Sequence, residues 1–119
     1  MNRRRRLREP TMSVSDEFVT FLIDQFSGWG KVTGRKMFGG VGLYHDGKMF
    51  GLVADDVAYL KVDDSNREDF EKAGSAPFRP YADRDVTMSY YEIPPDVLEC
   101  AEELGEWANR SFMVQTKKR

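Results

Sequence analysis

The stretch that decides the fold is "RKMFGGVGLYHDGKMFGLVADDVAYLKVDD", residues 35–64, in which short apolar runs alternate with turn residues. Strand-forming residues fill the runs, and the pairs Asp46-Gly47 and Asp55-Asp56 separate them. Turns as short as these join neighbouring antiparallel strands, so the stretch predicts a β-meander. The four predicted strands cover residues 32–38, 41–44, 48–54 and 57–62.

The glycines of this stretch first suggest a loop that binds phosphate. Gly40 and Gly42 begin a G-x-G-x-x-G pattern, but His45 occupies the third glycine position. A phosphate loop must also lead into a helix, whose free N–H groups hold the anion, and here a turn and a strand follow. Gly39 and Gly40 therefore predict a bend or a close approach between backbones.

Helices are predicted on both sides of residues 35–64. Before them, Ser13 or Ser15 can cap a helix whose apolar face, which we expect in the core, is Phe18, Phe21, Leu22 and Phe26. After them, a short helix over 66–73 ends at Gly74. Pro77 and Pro80 then favour an extended chain.

Two more β-segments are predicted over 81–83 and 86–92, followed by a C-terminal helix that starts at 94–96 and reaches 112. The fold class is therefore α+β, an antiparallel β-meander sheet flanked by N-terminal, short middle and C-terminal helices. We expect one domain over 13–114, a basic extension over 1–12 and a basic tail over 115–119.

Charge is unevenly distributed along the chain. The net charge is −2, yet the N-terminal eleven residues hold five arginines and one acid, and the last three residues are all basic. The body between them is therefore acidic, which disfavours a domain that grips nucleic acid across its face. The arginines are Arg3, Arg4, Arg5, Arg6 and Arg8.

Three interpretations of these arginines stay open. They can form a tail that binds nucleic acid or a membrane surface, or a solvated extension without structure. Met12 can also be the true start, because "MSVSDEF" already reads as the opening of a domain.

The single cysteine and the single histidine limit the kinds of site that the chain can form. Cys100 is the one cysteine, so no internal disulfide forms and a cytoplasmic location is expected. Cys100 lies on the predicted last helix, facing the core, and His45 lies in a turn. One cysteine and one histidine do not complete a zinc shell. We predict no catalytic residue, cofactor or metal, and no apolar run approaches the roughly 18 residues of a membrane span.

The remaining candidates are basic residues and tyrosines of the β-rich half. The basic residues could line a shallow basic patch on the acidic body, and an exposed tyrosine beside Met88 could anchor an interface, because aromatic residues and methionine are enriched there. They could equally be solvated edge charges that discourage strand pairing, and ordinary cross-strand packing residues. Tyr90 and Tyr91 are adjacent on a strand, so we expect one in the core and the other exposed. The candidate surface is Arg35, Lys36, Lys61, Tyr90 and Tyr91.

The segments "RKMFGGVGLYHDGKMFGLVADDVAYLKVDD", "GSAPFRPY", "TMSYYEIPPDVLE" and "LGEWANRS", in this order, closely resemble the TfoX/Sxy N-terminal domain family. The resemblance runs from about residue 15 to about residue 112, and we expect a stand-alone short form of the domain. The matching positions are Arg35, Met37, Phe38, Gly39, Gly40, Gly42, Tyr44, Tyr90 and Tyr91.

The family is named after regulators of bacterial natural competence that act with the cyclic-AMP receptor protein at promoters. The resemblance therefore implies a small non-catalytic adaptor that contacts a protein partner such as a transcription factor. Related folds often dimerise, so a homodimer is a further expectation. DNA would be reached indirectly or through the basic tails. Two other hypotheses remain, a nucleic-acid binder that uses its basic ends, and a ligand-binding domain or enzyme built around a pocket of the β-half.

Overall fold

The computed structural model describes residues 15–37, 39–79 and 89–117. Within them the strands form one antiparallel sheet of five strands in the order β1-β2-β3-β4-β5. The α+β class and the flanking helices are therefore confirmed. The elements are α1 (Asp16–Phe26), β1 (Thr33–Met37), β2 (Gly40–His45), β3 (Lys48–Ala54), β4 (Val57–Lys61), α2 (Arg67–Lys72), β5 (Tyr90–Glu92), α3 (Pro95–Leu98) and α4 (Ala101–Lys117).

Some predictions fall outside the described residues. These are the extension over 1–12, the alternative cap Ser13, the role of Phe38, the β-segment over 81–83, residues 86–88 of the β-segment over 86–92, and positions 118–119 of the basic tail. The preceding residues 115–117 belong to α4. Among the helices of the described ranges, none combines the length and the apolar character needed to cross a membrane.

Two tight turns set the register of the meander, as predicted. Asp46 and Gly47 join β2 to β3 with φ values of 53° and 79°, and Asp55 and Asp56 join β3 to β4 with 54° and 56°. Positive φ at both central residues gives the turn whose twist matches that of the flanking strands. Asp56 also accepts a 2.8 Å hydrogen bond from the backbone N–H of Ser15, which fixes the start of α1 to this turn.

The glycines at the β1–β2 junction have a structural role, as predicted. Gly39 turns the chain with a φ of 82°, a conformation that side chains rarely adopt. At Gly40 an added Cβ would lie 2.5 Å from the carbonyl oxygen of Val53 on β3. The absence of a side chain at Gly40 therefore lets two neighbouring strands approach each other.

One face of the sheet is buried beneath the helices. Leu22 and Phe26 of α1 and Leu104 of α4 are fully buried against sheet residues such as Leu43 and Phe50. We refer to this group of side chains as the main core. Ser15 caps α1 as predicted, since its hydroxyl accepts from the N–H of Phe18.

The prediction that Phe21 belongs to the core was wrong, because its side chain is 41% exposed. Phe21 stacks on its half-buried neighbour Phe18, with ring centroids 6.3 Å apart, at the rim of the helical layer. The apolar stripe of α1 is therefore wider than the face that the helix buries.

The predicted single C-terminal helix is two helices. The chain leaves α3 after Leu98, whose carbonyl accepts a 2.9 Å hydrogen bond from the side chain of Gln25 on α1. Cys100 lies in the connection, and its carbonyl accepts from Leu104 in the first turn of α4. Its thiol is exposed, so the prediction that Cys100 faces the core from a helix was wrong.

Replacing Gly40 by alanine should destabilise the protein, because the new methyl group would press on the Val53 carbonyl. Overpacking of this kind costs roughly 1–3 kcal/mol. Gly28 is the matched control, since nothing lies within 4 Å of its added Cβ. Urea denaturation should show the loss for Gly40→Ala and none for Gly28→Ala. Equal stabilities of the two variants would contradict the close approach.

Candidate interaction surface

The sheet face opposite the main core carries a separate group of side chains, which we name the tyrosine face. Cross-strand partners lie on the same face, so the registers of the four ladders identify its members. In the described ranges, the helical side chains that belong to a core cluster all belong to the main core, and none belongs to the cluster on the tyrosine face. The tyrosine face consists of Thr33, Arg35, Met37, Tyr44, Met49, Leu52, Ala54, Val57, Tyr59, Lys61, Phe78, Tyr90 and Glu92.

The centre of the tyrosine face is a small apolar cluster. Leu52 and Tyr90 are buried there, and Met49 packs beside them. Phe78 reaches the cluster from the segment that pairs with β5, and its ring centroid lies 4.9 Å from that of Tyr59. Few apolar side chains of this face are fully withdrawn from solvent, unlike those of the main core.

Two cations lie over tyrosine rings towards opposite sides of this cluster. The guanidinium carbon of Arg35 is 5.0 Å from the ring centroid of Tyr44, and the ammonium of Lys61 is 4.9 Å from that of Tyr90. Both distances fit attraction between a cation and the face of an aromatic ring. β1 and β4, the strands that carry the two cations, are three strand spacings, or about 14 Å, apart.

Because Gly42 has no side chain, the neighbouring side chains on the β1 side of the tyrosine face can pack over it. A Cβ on Gly42 would come within 3.3 Å of the sulfurs of Met37 and Met49 and of the Tyr44 ring. The lack of a side chain there lets two thioethers and an aromatic ring converge beneath Arg35. Adaptable methionine side chains around a rigid ring suit contact with another molecule.

The predicted surface is divided between the two faces of the sheet. Arg35, Lys61 and Tyr90 lie together on the tyrosine face. Lys36 lies opposite Val41 on the helix side, at the exposed edge of the sheet. Tyr91 packs against the main core, with its ring centroid 5.9 Å from that of Phe70.

The two adjacent tyrosines point to opposite faces, as predicted, but neither is well exposed. Tyr90 is only 6% exposed, and Tyr91 is half-buried. Sequence reasoning missed Tyr44, Met37, Met49 and Tyr59 as members of the surface. A usable signal was the period of two that links Arg35 to Met37 and Gly42 to Tyr44.

Burial also raises the pKa values of two tyrosines on this face. It raises the pKa of Tyr90 above its ordinary value, and the nearby Tyr44 raises it further. The pKa of Tyr59 is raised first by burial and then by the negative charges of Glu92 and Asp55. Both rings are therefore neutral near pH 7, and they offer hydroxyl groups rather than charge to a partner.

His45 and Asp63 make contacts within the fold. The His45 ring packs between Trp29 and Phe112, with centroids 4.4 and 4.9 Å away, and its Nδ1 lies 2.8 Å from the Lys31 carbonyl oxygen. Asp63 accepts from the backbone and hydroxyl of Ser65. In the described part of the chain, no group of three acidic, histidine or cysteine residues could hold a metal ion.

A groove of about 680 Å³ lies on the helical side, between the turn after α1 and α4. Trp29 and Gly105 form part of its wall. Two of its polar side chains have partners: the Trp29 indole N–H donates to Asn109, and Arg110 lies 3.5 Å from Asp69. Glu102 and Glu106 of α4 also line the groove.

Comparison with known families adds to this geometry. The family model described as the TfoX N-terminal domain matches residues 24–114, which is most of the chain. The match includes all five strands and the tyrosine face. No curated protein matches the sequence.

Tyr90→Phe removes the titrating hydroxyl and keeps the ring beneath Lys61. Because the pKa of Tyr90 is raised in the folded state, the folded protein holds this proton more tightly than the unfolded chain. Its contribution to stability is present below about pH 10 and is lost as the pH rises through the folded-state pKa.

Urea denaturation between about pH 8 and pH 11 should therefore show that Tyr90→Phe loses less stability than the wild type. Titration of lysines away from Tyr90 affects both proteins equally and cancels in the comparison. Parallel stability profiles would contradict the burial of this hydroxyl.

Proposed function

Because the chain belongs to the TfoX N-terminal domain family, we propose that it is a small, non-catalytic adaptor that acts in transcription by protein–protein contact. The observation that carries the proposal is the tyrosine face, where Arg35 and Lys61 lie over tyrosine rings on a sheet surface that the described helices leave uncovered. The partner is a transcription factor, and the protein works in the cytoplasm, where its cysteine stays reduced.

The composition of the tyrosine face supports a protein partner. Tyrosine, methionine and arginine are enriched in the centres of interfaces, and tyrosine and arginine dominate binding hot spots. Arg35 is exposed, whereas Tyr44 and Met49 are half-buried, so each ring or thioether is held by its neighbours and still offers part of its surface. A surface ordered in advance loses less conformational entropy on binding.

Charge supports contact with protein rather than a direct grip on DNA. The acidic body would be repelled by phosphates, and the cations of the tyrosine face are few. The five arginines near the N-terminus remain the alternative route to nucleic acid. They lie outside the described residues, so the experiment has to separate them from the folded domain.

Tyr44→Ala tests the proposal directly, because it removes the ring beneath Arg35 and opens the β1 side of the tyrosine face. Affinity capture from the native host with the wild-type chain identifies the partner, and titration of the purified pair measures the dissociation constant. We expect Tyr44→Ala to weaken binding by at least about tenfold, as for a hot-spot residue.

Met113→Ala is the matched control, since Met113 is 49% exposed on α4, away from the sheet. It should bind as the wild type does, and thermal unfolding should confirm that both variants fold. If Tyr44→Ala kept full affinity and Met113→Ala lost affinity, the interface would lie on the helical layer and the proposal would be wrong.

Removal of residues 2–11 distinguishes the adaptor proposal from binding of nucleic acid by the basic N-terminal segment. The adaptor proposal predicts that the shortened chain keeps its protein partner at unchanged affinity. A DNA affinity that falls steeply with salt and disappears with this segment would instead support the basic tail as the functional element.

A further inference from the structure

β1 forms one edge of the sheet and has an unpaired outer side in the described part of the chain. It pairs with β2 on one side, and the sheet order places no described strand on the other. All its residues except Met37 are exposed. An exposed edge of this kind presents a row of backbone N–H and C=O groups to an incoming strand.

The side chains on this edge are positively charged on both faces of the sheet. Arg35 and Lys36 are consecutive, so one points to the tyrosine face and the other to the helix side. Neither forms an ion pair with a described residue, and the guanidinium of Arg35 is held over the Tyr44 ring. The edge therefore carries two cations that straddle its backbone.

We propose that the outer edge of β1 takes up an extended, acidic segment of the partner protein as an added strand. Backbone hydrogen bonds would hold the segment, and two consecutive acidic residues in it would pair with Arg35 and Lys36. The match follows from strand geometry, because consecutive side chains of the added strand point to opposite faces as those two cations do. This inference rests on the proposed adaptor function and names the chemistry of its partner.

A second copy of the chain is the other occupant of such an edge, and the charges disfavour it. Antiparallel self-pairing over the whole of β1, residues 33–37, is centred on Arg35 and places that residue opposite its own copy. Like charges directly opposite each other destabilise a strand pair. An acidic strand meets the same residues with attraction, so charge complementarity selects the partner and opposes self-association.

The position of Arg35 connects the edge to the rest of the proposed interface. Arg35 belongs both to the tyrosine face and to β1, so a strand added at this edge extends that face by one strand. The side chains of the added strand on this side would lie beside Arg35 and Tyr44. Contact with the tyrosine face and strand addition can therefore serve one partner together.

The test uses a blocked synthetic peptide of sequence Thr-Val-Glu-Glu-Val-Thr and the full-length protein labelled with ¹⁵N. We expect titration to shift the amide signals of β1 and β2 and to slow the hydrogen exchange of β1 amides. A peptide with two glutamines in place of the glutamates should bind roughly two- to thirtyfold more weakly, since it loses two exposed ion pairs.

Lys36→Glu is the matched variant, because Lys36 is exposed and lies outside the tyrosine face. It should lower the affinity for the acidic peptide several-fold. Two exchanged peptides test rescue, one with Glu-Lys at the centre for a parallel added strand and one with Lys-Glu for an antiparallel strand, and one of them should restore binding to the variant. Rescue by charge exchange is a result that a merely structural role of Lys36 would not give.

Three outcomes would overturn the inference. They are the absence of shifts in β1 at millimolar peptide, equal affinity of Lys36→Glu for the acidic peptide, and protection of β1 amides in a dimer detected by sedimentation without peptide. The proposed function is tested separately, because Tyr44→Ala affects the tyrosine face and leaves Lys36 in place. Loss of the host partner by Tyr44→Ala with unchanged capture by Lys36→Glu would leave the adaptor proposal standing and remove the added strand.

Discussion

Phe26 of α1 meets Phe50 of β3 edge to face, with ring centroids 5.4 Å apart, and this contact joins the helical layer to the sheet. Both rings are fully buried, and Trp29 packs against each of them. Burial of side chains of this size contributes about 1.5–3 kcal/mol each. Because α1 and α4 both use this side of the sheet, the opposite side is left to a much smaller cluster.

The position of Phe50 depends on an irregularity in the sheet. The register between β2 and β3 shifts at Leu43 and Tyr44, where Phe50 is the extra residue on β3. A bulge of this kind lets Phe50 point into the main core while Met49, its neighbour, lies on the tyrosine face. The bulge thus reverses the facing of the residues before Gly51, so that Phe50 enters the core and Met49 enters the candidate interface.

The sequence predicts the meander well because its turns carry local chemistry. Asp46-Gly47 requires positive φ, and the alternation of Leu60 with Tyr59 and Lys61 assigns the faces of β4. The composition of the tyrosine face is less predictable. Strict alternation would put Phe50 on the same face as Leu52, and only the bulge corrects this. The α3–α4 break and the exposure of Phe21 likewise depend on tertiary contacts that no local pattern encodes.

The charged residues of the domain are segregated between the surface of α4 and the β1 edge. The exposed residues Glu102, Glu103 and Glu106 make the outer surface of α4 acidic, whereas Arg35 and Lys36 make the β1 edge basic. Such asymmetry orients an approaching partner more than it tightens the final complex. The helical layer holds the main core, and the edge and the tyrosine face form the recognition surface that we propose.

Oxidative footprinting of the complex with its host partner tests this division most directly, because methionine and aromatic side chains report their own exposure to solvent. We expect partner binding to protect Met37, Tyr44 and Met49 from oxidation and to leave Met113 and Phe21 on the helical layer unchanged. Protection of Met113 and Phe21 with unchanged oxidation of the tyrosine face would contradict the account.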